Sequence, residues 1–210
     1  MSKVQEVAKA VEMGKSKIVG GLTQEALDEG TSATEVLNAM IDAMAVVGEK
    51  FKNNEIFVPE MLVAARAMKK GVEVLKPHLA SGAAGQAGKV IIGTVAGDLH
   101  DIGKNLVAMM IESAGFEVID LGVDVPTEKF LEALKSNPDT KIVALSALLT
   151  TTMPAMKATV EALNGLENRG SIKVMVGGAP ITQAFADEIG ADAYTADAAS
   201  AAQKAKELAA

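Results

Sequence analysis

From Lys89 to the carboxyl terminus, short apolar runs rich in β-branched residues alternate with amphipathic stretches at helical spacing. That alternation leaves a chain few choices beyond a parallel sheet with helices on both faces. Strands are expected at residues 90–95, 117–120, 142–146 and 174–176, and near Ala193 and Tyr194. Helices are expected to start near Ile102, Thr127, Met153, Thr182 and Asp197. The first run, Lys89 onward, is nearly continuous in apolar residues, as befits a strand buried on both faces. With right-handed crossovers the predicted strand order is 2-1-3-4-5, a flavodoxin-like or Rossmann-like arrangement. The chain then reverses direction between the first and third strands, and open α/β sheets bind ligands in the crevice above such a reversal.

The first 80 or so residues read differently, as helices alone. Val4, Val7, Ala8 and Val11 form one apolar face, Ile18, Leu22 and Leu27 a second, and Val36, Met40, Ile41, Met44 and Val47 a third. Gly14 and Gly30 mark helix ends, and Ser32 followed by Glu35 has the spacing of a capping box. Pro59 suits the first turn of a fourth helix carrying Met61, Leu62, Ala65, Met68, Val72 and Leu75. Short connections predict a compact four-helix bundle. Residues 81–88 are small, flexible and without apolar period, so a boundary is expected there, dividing the chain into a helical domain, 1–84, and an α/β domain, 85–210. His78, beside Pro77, reads as a solvated or helix-capping residue.

Composition excludes several classes of function. The net charge is −7, the lysines are scattered among acids, and aromatics make up 3%, which disfavours nucleic acid and anionic membranes as partners. No apolar run approaches the roughly 18 residues of a membrane span and no signal pattern opens the chain, so a cytoplasmic location is expected. With no cysteine, thiolate metal sites and cysteine nucleophiles are ruled out, and only His78 and His100 supply imidazole. Most of the eleven methionines are expected in the core.

Three loops are expected to converge at the carboxyl ends of the strands. The first carries Asp98, His100 and Asp101 between Gly97 and Gly103. The second, 146–152, brings the hydroxyls of Ser146, Thr150, Thr151 and Thr152, and the third, 177–180, is small enough for backbone to approach a flat or extended ligand. Neither a Walker lysine pattern nor the dinucleotide glycine spacing is present. With Asp98 two residues before it, His100 has three open readings: a hydrogen-bonded loop clamp, a general base, or a metal ligand whose far nitrogen is held by the carboxylate. A protein-only zinc or iron site would lack ligands, so any metal must arrive already chelated.

Residues 98–103 match the Asp-x-His-x-x-Gly motif of the cobalamin-binding domains of corrinoid methyltransferases. Ser146, Ala147 and Leu148 match that family's second motif, and Gly177 with Gly178 its third. The chain resembles, over nearly its whole length, the small corrinoid proteins of three-component methyltransferase systems and the cobalamin module of methionine synthase, which also carry an amino-terminal helical bundle. The resemblance implies that His100 binds cobalt in place of the cofactor's own lower base, that Asp98 holds its other nitrogen, and that Thr152 ends this relay. Leu99, Asp101, Ile102, Gly103 and Leu148 would complete the cofactor-binding set, with the nucleotide tail running between Ser146, Thr150 and the Gly177 and Gly178 backbone. Residues 51–61 look like the family's cap segment, so Phe51, Val58 and Met61 would cover the upper, reactive face.

By the same resemblance the protein is a methyl carrier of one-carbon metabolism. One substrate-specific methyltransferase would load it from methanol, a methylamine or a methoxylated aromatic. A second would pass the methyl group to tetrahydrofolate or a thiol, and a reductive activase would maintain the cobalt. The helical domain would swing aside about residues 81–88 at each transfer. The alternatives are a cobalamin subunit of a carbon-skeleton mutase, a cobalamin-dependent sensor, or a flavodoxin-like module without corrinoid.

Overall fold

The computed structural model describes residues 2–79 and 87–210, and the chain divides into two compact units, one helical and one α/β. Most of the expected connection, residues 81–86, lies outside the described residues.

The helical unit consists of α1 (Lys3–Glu12), α2 (Val19–Asp28), α3 (Ala33–Lys52) and α4 (Val58–Leu75). A full capping box, whose S-x-x-Q spacing is present in the sequence at Ser2 and Gln5, starts α1: Ser2 accepts from the Gln5 amide while Gln5 reaches back to the Ser2 amide. At α3 only the hydroxyl half of the expected box is made, Ser32 Oγ accepting from the Glu35 amide at 3.2 Å. The face predicted for α2 is corrected. Val19, Thr23 and Ala26 are buried, whereas Ile18 is exposed just before the helix and Leu22 and Leu27 are half-buried. Thr23 escapes a purely apolar count because its hydroxyl donates to the Val19 carbonyl one turn back, at 2.8 Å, which removes the cost of burying it. Gly71 of α4 lets the Met40 side chain of α3 lie against the helix, where a Cβ would stand 2.2 Å from the methionine methyl group.

The α/β unit alternates β1 (Lys89–Thr94), α5 (Ile102–Ser113), β2 (Glu117–Asp120), α6 (Thr127–Ser136), β3 (Thr140–Ser146), α7 (Met153–Asn164), β4 (Lys173–Gly177), α8 (Gln183–Ile189), β5 (Ala193–Tyr194) and α9 (Ala198–Ala209). The sheet is wholly parallel with order β2-β1-β3-β4-β5, as expected. β1 ends one residue earlier than predicted; Val95 continues as an isolated parallel bridge to Val125. Thr182 and Asp197 prove to be side-chain caps of α8 and α9 and not their first helical residues.

The core on one face of the sheet gathers Ile91, Val143, Leu145, Val174 and Val176 beneath Phe130, Met156, Val160 and Leu163. Gly93 in β1 makes room for Phe130, for a Cβ there would lie 2.8 Å from the ring's Cζ and 3.3 Å from Val125 Cγ2. β1 and β3, buried almost throughout, therefore end side by side at one edge, and the loops after them are held by rigid strands. Among the described residues no helix is long and apolar enough to cross a membrane. Because Phe130 has no exposed surface to move into, Gly93→Ala is expected to destabilise the fold by about 1–3 kcal/mol. Urea denaturation measures this, and adding Phe130→Leu should recover part of the loss.

Candidate functional site

The site forms where β1 and β3 stop. Residues 97–101 leave β1 with Gly97 at φ +82°, a left-handed conformation that glycine adopts without penalty, and this turn sends Asp98 inward while Leu99 and His100 face outward. The Asp98 carboxylate is fully buried. Its Oδ1 accepts from His100 Nδ1 at 2.7 Å and from the His100 amide at 3.1 Å. Its Oδ2 accepts from the Leu148 amide at 2.7 Å, the Leu149 amide at 3.3 Å and the Thr152 hydroxyl at 2.9 Å. Thr152 Oγ1 stands equally near the Leu149 carbonyl, but its single proton is held more strongly by the ionised acceptor.

Burial alone would push the Asp98 carboxyl pKa up, but the Leu148 amide, the His100 ring and amide and the Thr152 hydroxyl outweigh it and hold the group well below the usual carboxylate range. The carboxylate is thus ionised and can only accept. His100 Nδ1 must therefore carry the proton it donates, and in the neutral ring Nε2 keeps its lone pair. Nε2 makes no hydrogen bond among the described residues, and the ring is about half exposed, at 51% of its side-chain surface.

The loops that carry His100 and the Asp98 donors also carry apolar side chains that the core does not take up. Leu99 is 72% exposed and Ile102 85%, and Leu148 and Leu149 are also substantially open. At Gly103 a Cβ would meet nothing within 4 Å, so protein packing does not explain a glycine there, and the space it leaves suits a flat ligand lying close to the backbone. Asp101 starts α5, its carbonyl accepting from the Asn105 amide and its carboxylate from the Asn105 side chain. Ser146 is half-buried and ends β3, Thr150 is exposed, and Thr152 is buried.

The third loop joins the second through backbone, the Ala147 amide donating to the Gly177 carbonyl at 3.2 Å. Its glycines have a use the sequence does not disclose. A Cβ on Gly178 would stand 1.8 Å from the Ala147 carbonyl oxygen, so the absence of a side chain there serves the close approach of the protein's own chain. Gly177 is under no such constraint.

Phe51, Val58 and Met61 belong to the helical unit: Phe51 is half-buried, Val58 exposed, and Met61 has no exposed surface. The prominent exposed side chain of that segment is Phe57, which sequence reasoning passes over. It also passes over Lys104, whose ammonium is buried and donates to Asp120 Oδ2 at 2.5 Å and to Asn105 Oδ1 at 2.7 Å. A signal is present, since Lys104 and Ile111 are seven residues apart on the buried stripe of α5, and a lysine on such a stripe needs a partner.

An imidazole held by a buried carboxylate at the switch point of a 2-1-3-4-5 sheet, set among exposed apolar side chains, marks a ligand-binding α/β module. Known proteins specify the ligand. The sequence matches the B12 binding domain family over residues 88–205, and a second family of the same description over residues 4–76. It is 44% identical over 207 residues to dimethylamine corrinoid protein 1 of Methanosarcina acetivorans, spanning 98% of this chain and 96% of that one. Among solved structures, a cobalamin-binding protein from Desulfitobacterium hafniense superimposes with a TM-score of 0.82 at 31% identity, over 98% of both chains. The methanol:cobalamin methyltransferase complex of Methanosarcina barkeri does so at 0.84 and 32% identity, over 99% of this chain and 79% of that one. The chain belongs to the B12 binding domain family, and its cofactor is a cobalamin-type corrinoid.

The Asp98 network makes a pH prediction whose sign is definite. A carboxyl whose pKa is lower folded than unfolded stabilises the fold above the unfolded value, about 3.9, and that stabilisation is lost as pH falls below it. Wild-type stability should therefore decline from about pH 4 downward. Asp98→Asn should lose part of that slope and, because its amide turns a donor toward donors, cost about 2–4 kcal/mol at pH 7. Denaturation curves across pH measure both.

Proposed function

We propose that the protein is a methyl-carrying corrinoid protein of a methyltransferase system, in which His100 would ligate the cobalt of the cofactor. The observation that carries this reading is the exposed, unpartnered Nε2 of a ring whose Nδ1 is tied to the buried Asp98. Among the described residues no group of three or more His, Cys, Asp or Glu side chains is arranged to hold a metal, so a metal ligated by His100 brings its remaining ligands with it. When bound, the corrinoid supplies a cobalt centre able to take up and give away a methyl group.

The protein's part is to hold the ring and manage its proton. Asp98 keeps the ring proton on Nδ1, and Thr152 supports the far carboxylate oxygen, so His100, Asp98 and Thr152 form a relay in which a proton gained at Nε2 is compensated by the buried negative charge. Leu99, Ile102 and Leu148 offer apolar surface, Asp101 secures the start of α5, and Gly103 leaves room for the macrocycle. Ser146, Thr150, Gly177 and Gly178 would border the nucleotide tail. Residues 1–84 would act as the cap and 85–210 as the binding domain. Within the cap segment the residues proposed to cover the ligand are Phe51, Val58 and Met61, of which Val58 is exposed, Phe51 half-buried and Met61 buried.

The names of its relatives support a carrier role. One is called a dimethylamine corrinoid protein, and one solved neighbour is a complex with a methanol:cobalamin methyltransferase. A methylamine or methanol is accordingly the proposed donor class, loaded by one methyltransferase, with tetrahydrofolate or a thiol as acceptor through a second and a reductive activase as third partner. Refolding with hydroxocobalamin should give a red protein. His100→Ala should still take up the corrinoid but show a water-ligated absorption spectrum in place of the histidine-ligated one. An unchanged spectrum would refute the axial assignment.

A further inference from the structure

The Asp98 carboxylate fixes the imidazole relative to its own loop, but the direction of Nε2 relative to the sheet depends on what fixes the loop. Two side chains outside the motif do so. Thr94, the last residue of β1 and fully buried, donates from its hydroxyl to the His100 carbonyl at 2.9 Å. Asp124, between β2 and α6, accepts from the Gly97 amide at 2.7 Å through Oδ1, while its own amide donates to the Asp98 carbonyl at 2.9 Å. One strut thus holds the start of the loop and the other holds the histidine residue itself.

The struts are tied to each other. The Thr94 amide donates to the Gly122 carbonyl at 3.0 Å and the Thr94 carbonyl accepts from the Val125 amide at 2.9 Å, so both rest on the end of β1. Asp124 sits at φ +52°, a conformation in which glycine or asparagine would be at less disadvantage. A strained backbone persists where surrounding bonds over-determine it, and the two hydrogen bonds to residues 97 and 98 are those bonds.

We infer that Thr94 and Asp124 are positioning residues that aim His100 Nε2, so that they govern how completely the histidine ligates the cofactor without touching it. This rests on the axial role of His100 proposed above. The test compares Asp124→Gly and Thr94→Val, which remove the struts, with Asp124→Asn and Thr94→Ser, which keep an acceptor or a hydroxyl in place. Asp124→Gly is informative because relief of the left-handed backbone offsets part of the lost Gly97 hydrogen bond, and a purely structural role predicts, in the folded variant, an unaltered ring spectrum and unaltered ligation.

Two readouts apply. In the ligand-free protein, nitrogen-15 NMR of the His100 ring follows the Nδ1 hydrogen bond and the order of Nε2. In protein labelled with nitrogen-15 histidine and loaded with cob(II)alamin, the two-line nitrogen-15 splitting of the electron paramagnetic resonance spectrum, against the three-line nitrogen-14 splitting of the cofactor's own base, reports the histidine-bound fraction. Asp124→Gly and Thr94→Val, folded by circular dichroism, should lower the ratio of histidine-bound to histidine-free cofactor about tenfold or more, a loss of about 1.4 kcal/mol in ligation. Asp124→Asn and Thr94→Ser should stay near the wild-type ratio. Wild-type ratios and an unaltered ring spectrum in both strut-removing variants would overturn the inference. A wild-type protein showing no nitrogen-15 histidine splitting would refute ligation by His100 instead, and the ligand-free ring spectra would still decide whether the struts aim the imidazole.

Discussion

A carboxylate with no access to water depends on every donor that surrounds it, and Asp98 obtains its donors from two loops, 97–100 and 148–152. If any one were withdrawn, the charge would be left underpaired in a medium that penalises it heavily. The rest of the site follows from satisfying that group. The 146–152 loop must turn its amides toward β1, Thr152 must be buried, and the imidazole must present the nitrogen the carboxylate does not use. The parallel pairing of β1 with β3 is what brings the two loops within reach.

Much of this architecture is legible in the order of the amino acids. Alternation of β-branched runs with amphipathic ones implies the sheet and its order, because parallel strands buried on both faces have a distinctive apolar continuity. The predicted strand order already brings the 97–103 and 146–152 loops together, and the family resemblance is what singles out Thr152 among their hydroxyls as the partner of Asp98. What stays hidden depends on contacts distant in sequence or on backbone geometry. Asp124 carries no pattern that announces a strut, and Gly178 reads as room for a ligand when its neighbour is Ala147. Thr23 escapes notice because a buried hydroxyl can satisfy itself within its own helix, and Lys104 because its counterion lies in a different element.

The site divides its chemistry between buried or paired polar groups and exposed apolar ones. Among the polar groups, Asp98 is paired with its donors, Thr94 with the His100 carbonyl and Lys104 with Asp120. Leu99 and Ile102, on either side of His100 in sequence, stand open to solvent, which a globular protein sustains at isolated positions but seldom groups together without a use. Such a division suits a ligand that is broad and apolar in its ring but needs one well-aimed donor at its centre.

The bonds from Asp98 to Leu148, Leu149 and Thr152 span 50, 51 and 54 residues of chain. On a growing polypeptide the histidine emerges well before the amides that make its partner a stable anion. Until β3 has paired with β1 the carboxylate that holds the ring lacks the Leu148, Leu149 and Thr152 donors and is an ordinary solvated acid. Readiness for the cofactor is therefore a property of the completed sheet, and a chain halted during synthesis short of Thr152 would carry the entire histidine motif yet lack a binding site.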